Sequence, residues 1–332
     1  MRKMTRGGWL ALVALFVLAA RPSVAPAANW SRTFDLDDKD DRAVAVTTDA
    51  DGNIYVLATC GKDTQGDCSD VVVLRYGPDG GTLEVWVYNS GSYDTAIAFV
   101  VDDHDPNAAA IYVAAYAGGN FHTVKLDGES AGEELWHVVM GYAADDRPSD
   151  IALQYQDGVW GVVVTGSSQV ENRGYDYSTV SYRPDGAQYW ARVYPGSYGS
   201  LPVMDDYATA VACDDQGRVY VTGRINRSNP EDYEFCTVRY DVDGGVNPCV
   251  AVEDEADSEL AEGATDIAVD FEAPYNVYVT GAFEREHTGR QATYYHLDAV
   301  TFRYNYLLER LDRKKFGDEF HDEEPVELVA RM

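Results

Sequence analysis

One carboxylate recurs at the same place in a repeated pattern: Asp41, Asp94, Asp146, Asp206 and Glu262, spaced by 53, 52, 60 and 56 residues, with Glu323 another 61 further on. Each stands shortly ahead of a run of small and apolar residues: RAVAV at 42–46, TAIAFV at 95–100, DIALQ at 150–154, TAVAC at 209–213 and TDIAV at 265–269. If those runs are strands around a common axis, the carboxylates ring the mouth of a channel and would hold a hard cation such as Ca²⁺ through oxygen. The plain alternative is that each acid closes its own turn through backbone N–H groups, and turn chemistry alone accounts for Asp at such positions.

A second set is aromatic. Tyr93, Phe121, Tyr142, Tyr175, Tyr177, Tyr198 and Tyr233 fall in or beside the long connections, where with neighbouring Asp and Asn they would hold sugars or peptides. With 24 tyrosines in the chain, packing between sheets competes with that reading. Catalysis finds little support. His104, His122, His137, His287, His296 and His321 occupy unrelated repeat positions, and neither GxSxG nor HExxH occurs. Asp49, Asp51 and Asn53 open like a calcium loop, but Ile54 stands where the turn glycine belongs, so a hairpin turn is expected. Paired acids for glycoside hydrolysis are available among so many carboxylates, yet sequence singles out no pair. Among the five cysteines, Cys60 with Cys68 and Cys236 with Cys249 bracket short loops and are expected to form disulfides in an oxidising compartment, leaving Cys213 as a buried thiol.

The elements that must position these residues repeat as well. DADGNIYVLA, DDHDPNAAAIYVAA, QDGVWGVVVTG, DDQGRVYVTG and DFEAPYNVYVTG each pass from an acidic turn into a strand. A third strand follows in DVVVLRYGPDG, FHTVKLDGESAG, DYSTVSYRPDG, EFCTVRYDVDG and DAVTFRYN, and a fourth is marked by Trp86, Trp136 and Trp190. Five copies of four short strands, with no helical period, predict an all-β propeller of four-stranded antiparallel blades. A stacked solenoid is the rival. NWSRTF at 29–34 reads as a stray fourth strand and EEPVELVA at 323–330 as a stray first strand, which favours a ring. They leave five or six blades open, and with them whether the chain is truncated. In such a meander the first–second and third–fourth turns share one end, which is tight. The long, irregular connections share the other, where function is expected.

The pattern D-x-A-x-A-V-x-x-D-x-x-G-x-V-Y-V-T-G, then T-V-x-Y-x-x-D-G and W, resembles the SBBP-type β-propeller repeat of exported bacterial proteins over residues 29–330. That resemblance implies an exported or cell-surface propeller and no fixed reaction. Residues 1–27 read as a secretory signal: a basic start, an apolar run from Trp9 to Ala20, and small residues at Ala25 and Ala27. That run is too short to span a bilayer, which needs about 20 residues. Residues 28–332 would then form the propeller, placed in the periplasm, on the cell surface or outside. A formal charge of −30 repels nucleic acid and anionic membrane and suits cations, basic proteins or neutral ligands. The expected function is a non-enzymatic binding or interaction module for a glycan or protein, working without a cofactor unless the carboxylates hold calcium. A polysaccharide hydrolase or lyase is the alternative.

Overall fold

The second strand of each repeat alternates Val with aromatic or small residues, as in IYVLATCGK and VYVTGRIN, a composition that suits a pleated surface covered on both sides. The computed structural model describes residues 30–36, 39–62, 69–81, 83–105, 109–128, 133–141, 145–171, 173–196, 204–226, 233–245, 249–253, 262–288 and 293–316. These hold twenty strands in five four-stranded antiparallel sheets, each a meander in chain order. The first sheet is β1 (Asp40–Thr48), β2 (Ile54–Lys62), β3 (Asp70–Tyr76) and β4 (Leu83–Tyr88); the second is β5 (Asp94–Asp102), β6 (Ala110–Ala117), β7 (Asn120–Asp127) and β8 (Glu134–Met140). The third is β9 (Asp146–Gln156), β10 (Val159–Val170), β11 (Gly174–Tyr182) and β12 (Gln188–Tyr194). The fourth is β13 (Tyr207–Cys213), β14 (Val219–Asn226), β15 (Tyr233–Tyr240) and β16 (Cys249–Glu253), and the fifth is β17 (Glu262–Val269), β18 (Val277–Thr288), β19 (Thr293–Tyr304) and β20 (Arg310–Phe316).

The fold is thus an all-β propeller, as expected. The first strand of each sheet touches the first strand of the next, so these strands lie innermost. The core sits between sheets rather than within one. Tyr55, Leu57, Val73 and Trp86 of the first sheet meet Ile111, Val113 and Leu126 of the second, and Phe235 of the fourth meets Val279 and Phe302 of the fifth. Middle strands of a sheet, such as β6 and β11, are accordingly buried along nearly their whole length.

Tryptophans rivet the joints. Trp190 donates its indole N–H to the Val242 carbonyl at 3.1 Å and lies against Tyr240 and the Gly244 turn of the next sheet. Trp136 does the same with the Pro184 carbonyl, Tyr182 and Gly186. Trp30 takes that position for the first sheet, beside Tyr76 and Gly80, although 30–35 carry no strand. The stray-strand reading of 29–34 therefore captured a packing role without the regular pairing. Residues 323–330 and 1–27, read from sequence as a stray first strand and a secretory signal, lie outside the described residues. Contacts run between consecutive sheets, and none of comparable extent joins the fifth to the first among the described residues.

The structure completes the last repeat and bears on the cysteines. The fifth repeat continues past Tyr304 into β20, RLDRKKF, paired with β19 through Ala299↔Phe316 and Phe302↔Arg313. The register of β15 with β16 sets Cys236 opposite Val252 and Cys249 opposite Arg239. The two cysteines are three positions out of step and on opposite faces, a geometry that does not support the expected bridge. Cys60 is a buried free thiol, pushed up to about 12 by burial and the nearby Asp41; its expected partner Cys68 lies outside the described residues. Cys213 is a free thiol.

Candidate functional site

The recurring aspartates turn out to be joints. Asp94, Asp146 and Asp206 donate their backbone N–H to the Ser69, Gly119 and Tyr175 carbonyls of the preceding sheet at 3.0, 2.9 and 2.6 Å. Their side chains are buried. Asp206 accepts from the Gly196 and Asn226 N–H groups at 2.7 and 2.8 Å, Asp41 from Leu36 and Gly61, and Asp94 from Ser90. Asp41, Asp94 and Asp206 are therefore turn-closing acceptors. No group of three or more potential metal ligands occurs among the described residues, and the Glu262 side chain lies outside them.

The following residue is more informative. Just ahead of it in space, strand β13 carries a bulge between Ala208 and Ala210, and β17 one between Ala264 and Asp266. A Cβ on Gly223 would collide with the Tyr207 carbonyl, and one on Gly166 with the Arg147 carbonyl, so glycine in the V-T-G motif lets the innermost strand lie close. That close approach fixes Arg147 and Tyr207 at the loop-rich end.

There a continuous row of side chains crosses three sheets. Tyr116, at the end of β6, and Tyr175, at the start of β11, donate to the two oxygens of Asp145 at 2.8 and 2.7 Å. Arg147 donates to Asp145 at 2.7 Å and places its guanidinium 5.1 Å from the Tyr175 ring centre. Tyr175 packs on Tyr207 at 5.4 Å, and Tyr207 on Tyr233 at 6.4 Å. Arg224, from the end of β14, lies over both Tyr207 and Tyr233, at 5.0 and 4.5 Å. All four tyrosines are half-buried.

The protonation states follow from these contacts. Partial burial pushes the Asp145 carboxyl up, but hydrogen bonds from Arg147, Tyr175 and Tyr116 outweigh it and hold the group below its ordinary range. Burial and the bond to Asp145 raise Tyr175 to about 12, and burial with Asp205 raises Tyr207. The phenols thus remain neutral donors beside an ionised carboxylate.

Of the aromatics expected from sequence, Tyr175 and Tyr233 belong to the row and Tyr93 is exposed ahead of β5. Phe121 and Tyr177 are buried core residues, the latter donating to the Cys236 carbonyl at 3.3 Å. Their rings cannot meet a ligand in this conformation. Tyr142 and Tyr198 lie outside the described residues. Sequence reasoning missed Tyr116, Asp145, Arg147, Tyr207 and Arg224. Arg147 and Tyr207 each directly follow a recurring aspartate, a signal that was available.

A second acidic feature lies on the innermost strands. Asp150 and Asp266 follow the bulges of β9 and β17. Asp150 accepts the Ile151 and Val211 N–H groups, both at 2.8 Å. Burial, with Asp266 adding to it, raises the Asp150 carboxyl to about 7 against those bonds.

No family model matches the chain, and no curated protein matches it. Among solved structures it is similar to a levansucrase variant from B. megaterium, with 7% identity, a TM-score of 0.36 and 87% of each chain covered. The SBBP repeat family is not shown by these comparisons.

Proposed function

We propose that this chain is an exported, non-catalytic binding module that holds a glycan against the tyrosine–arginine row. The observation that carries the reading is the row itself: four half-buried tyrosines, with Asp145, Arg147 and Arg224 fixed among them. Ring faces take the C–H face of a sugar, while a carboxylate and planar guanidinium groups hydrogen-bond its hydroxyls. The row is assembled before any ligand arrives, which lowers the ordering cost of binding.

Hydrolysis is the second reading, favoured by the raised Asp150 carboxyl close enough to Asp266 for the two charges to interact. Against it, each Asp150 oxygen already accepts a backbone N–H group, as a structural acceptor does. A glycan array read beside a reducing-sugar assay separates the two. Binding without turnover, weakened at least tenfold by Tyr207→Ala, is expected; release of reducing ends from any bound polysaccharide overturns the binding reading.

A further inference from the structure

The opposite, tight-turn end is not inert. The turns between the first and second strands of the second, third and fifth sheets converge near the axis and stack three rings that lie far apart in sequence. His104 lies on Trp160 with ring centres 3.8 Å apart and planes 19° apart, and Phe271 is nearly parallel to Trp160 at 6.2 Å. Tyr155 tilts against Trp160 at 5.2 Å. The plate is held from below: His104 bonds Asp102 at 2.9 Å, and the Asp215 N–H donates to the Phe271 carbonyl at 3.3 Å. Its margin is open, with Tyr155 38% and Val159 42% exposed.

A partly exposed aromatic centre inside a polar rim is the anatomy of a protein interface. The rim selects the partner. Asp51, Asp157 and Glu272 are exposed on these turns and Asp103 and Asp215 half-exposed. The one arginine among the described first–second turns, Arg218, is taken up by Asp214 at 2.6 Å and lies between Tyr275 and Tyr306. We propose that this plate is the docking surface for a basic, lysine- and arginine-containing segment of a partner protein, whose cationic side chains meet the acidic rim and pack on the Trp160 cluster. The aliphatic stems of those side chains pack on the exposed edge of the cluster, and complementary charge sets both encounter rate and choice of partner. Nucleic acid and anionic lipid would be repelled by the same rim.

The test measures binding of a labelled, tryptophan-free Lys/Arg nonapeptide to the full chain at physiological ionic strength, beside a neutral peptide of equal length. Expected are saturable binding of the basic peptide alone, at least a tenfold loss in Trp160→Ala, and no change in Tyr207→Ala at the opposite end. Should Trp160→Ala fail to fold, the double variant Asp157→Lys with Asp215→Lys decides, and it should lose at least tenfold. Equal affinity of either variant and wild type, binding of the neutral peptide, absence of saturable binding, or preference for anionic vesicles overturns the proposal.

Discussion

The two ends of the propeller are made from the same strands and differ in what their connections do. At the loop-rich end, Tyr116, Tyr175, Tyr207 and Tyr233 line up along neighbouring sheets, with Arg147 and Arg224 among them. At the tight-turn end, rings from three sheets pile up near the axis and the exposed charges are mostly acidic. Repetition supplies both patterns. A feature at the rim of the blade repeats as a row, whereas a feature in the first turn of the blade meets its copies. Position in the repeat, more than residue type, therefore decides whether an aromatic residue makes a strip or a plug.

That contrast can be broken from either side. The largest effect is expected from Trp190→Ala, which removes a buried rivet beneath the Gly244 turn and should cost about 3–5 kcal/mol in denaturant unfolding. Next comes Gly223→Val at the loop-rich end. Its side chain would meet the Tyr207 carbonyl, and a loss of about 3 kcal/mol, with glycan binding lost in step, is expected from overpacking. If binding survives, the row does not depend on the close approach of β13.

Two aspartates, one at each end, should also answer pH with opposite sign. Asp206, on the loop-rich side, is raised by burial from 3.8 to about 6, against its bonds from Asn226 and Gly196. The folded state then binds more protons than the unfolded one between those values, so stability is fully present below about pH 4 and falls towards pH 6, by on the order of 2 kcal/mol. Asp49, in a tight turn, is held below its ordinary value: burial raises it, but bonds from Asn53 and Tyr55 and the charge of Arg75 prevail. Its contribution is present above the unfolded value and is lost as pH drops through the folded one. Melting curves of Asp206→Asn and Asp49→Asn across pH 3–7 should flatten opposite limbs of the profile.

Smaller still, Gly217→Ala puts a side chain at φ 70° and against the Tyr155 carbonyl, at an expected cost of about 1–2 kcal/mol and with loosened stacking at Trp160. Val46→Thr on β1, where the side chain is 67% exposed, should change stability by less than about 0.5 kcal/mol.

The blades were legible because alternation, acidic turns and tryptophans recur at a fixed interval. The fourth strand of the last repeat escaped because RLDRKKF has neither alternation nor tryptophan; its pairing with β19 makes it a strand. Tyr175 and Tyr233 were legible as loop-end aromatics. Tyr207 was marked by the recurring aspartate before it, whereas Arg224 was not legible, since it sits within β14 and its partnership with Tyr207 and Tyr233 spans the β13–β15 edge rather than any loop. The plate of His104, Trp160 and Phe271 could not be read, because its members come from turns more than fifty residues apart that meet only near the axis. Whether Cys236 and Cys249 can meet is a matter of register, which loop length does not determine: β15 and β16 set them three positions out of step.

The run of contacts from each sheet to the next has a consequence for how the molecule opens. Among the described residues, with no comparable contact between the fifth sheet and the first, the five sheets are coupled as a line. Opening should begin at the ends and travel inward, as in a linear array. Amide protons of β1, where Val44 and Val46 face solvent, should exchange first, and those of β10 and β14, enclosed on both sides, last. Under mechanical load the outer sheets would peel away one at a time, while the third and fourth sheets, which hold most of the tyrosine row, remained folded to the end.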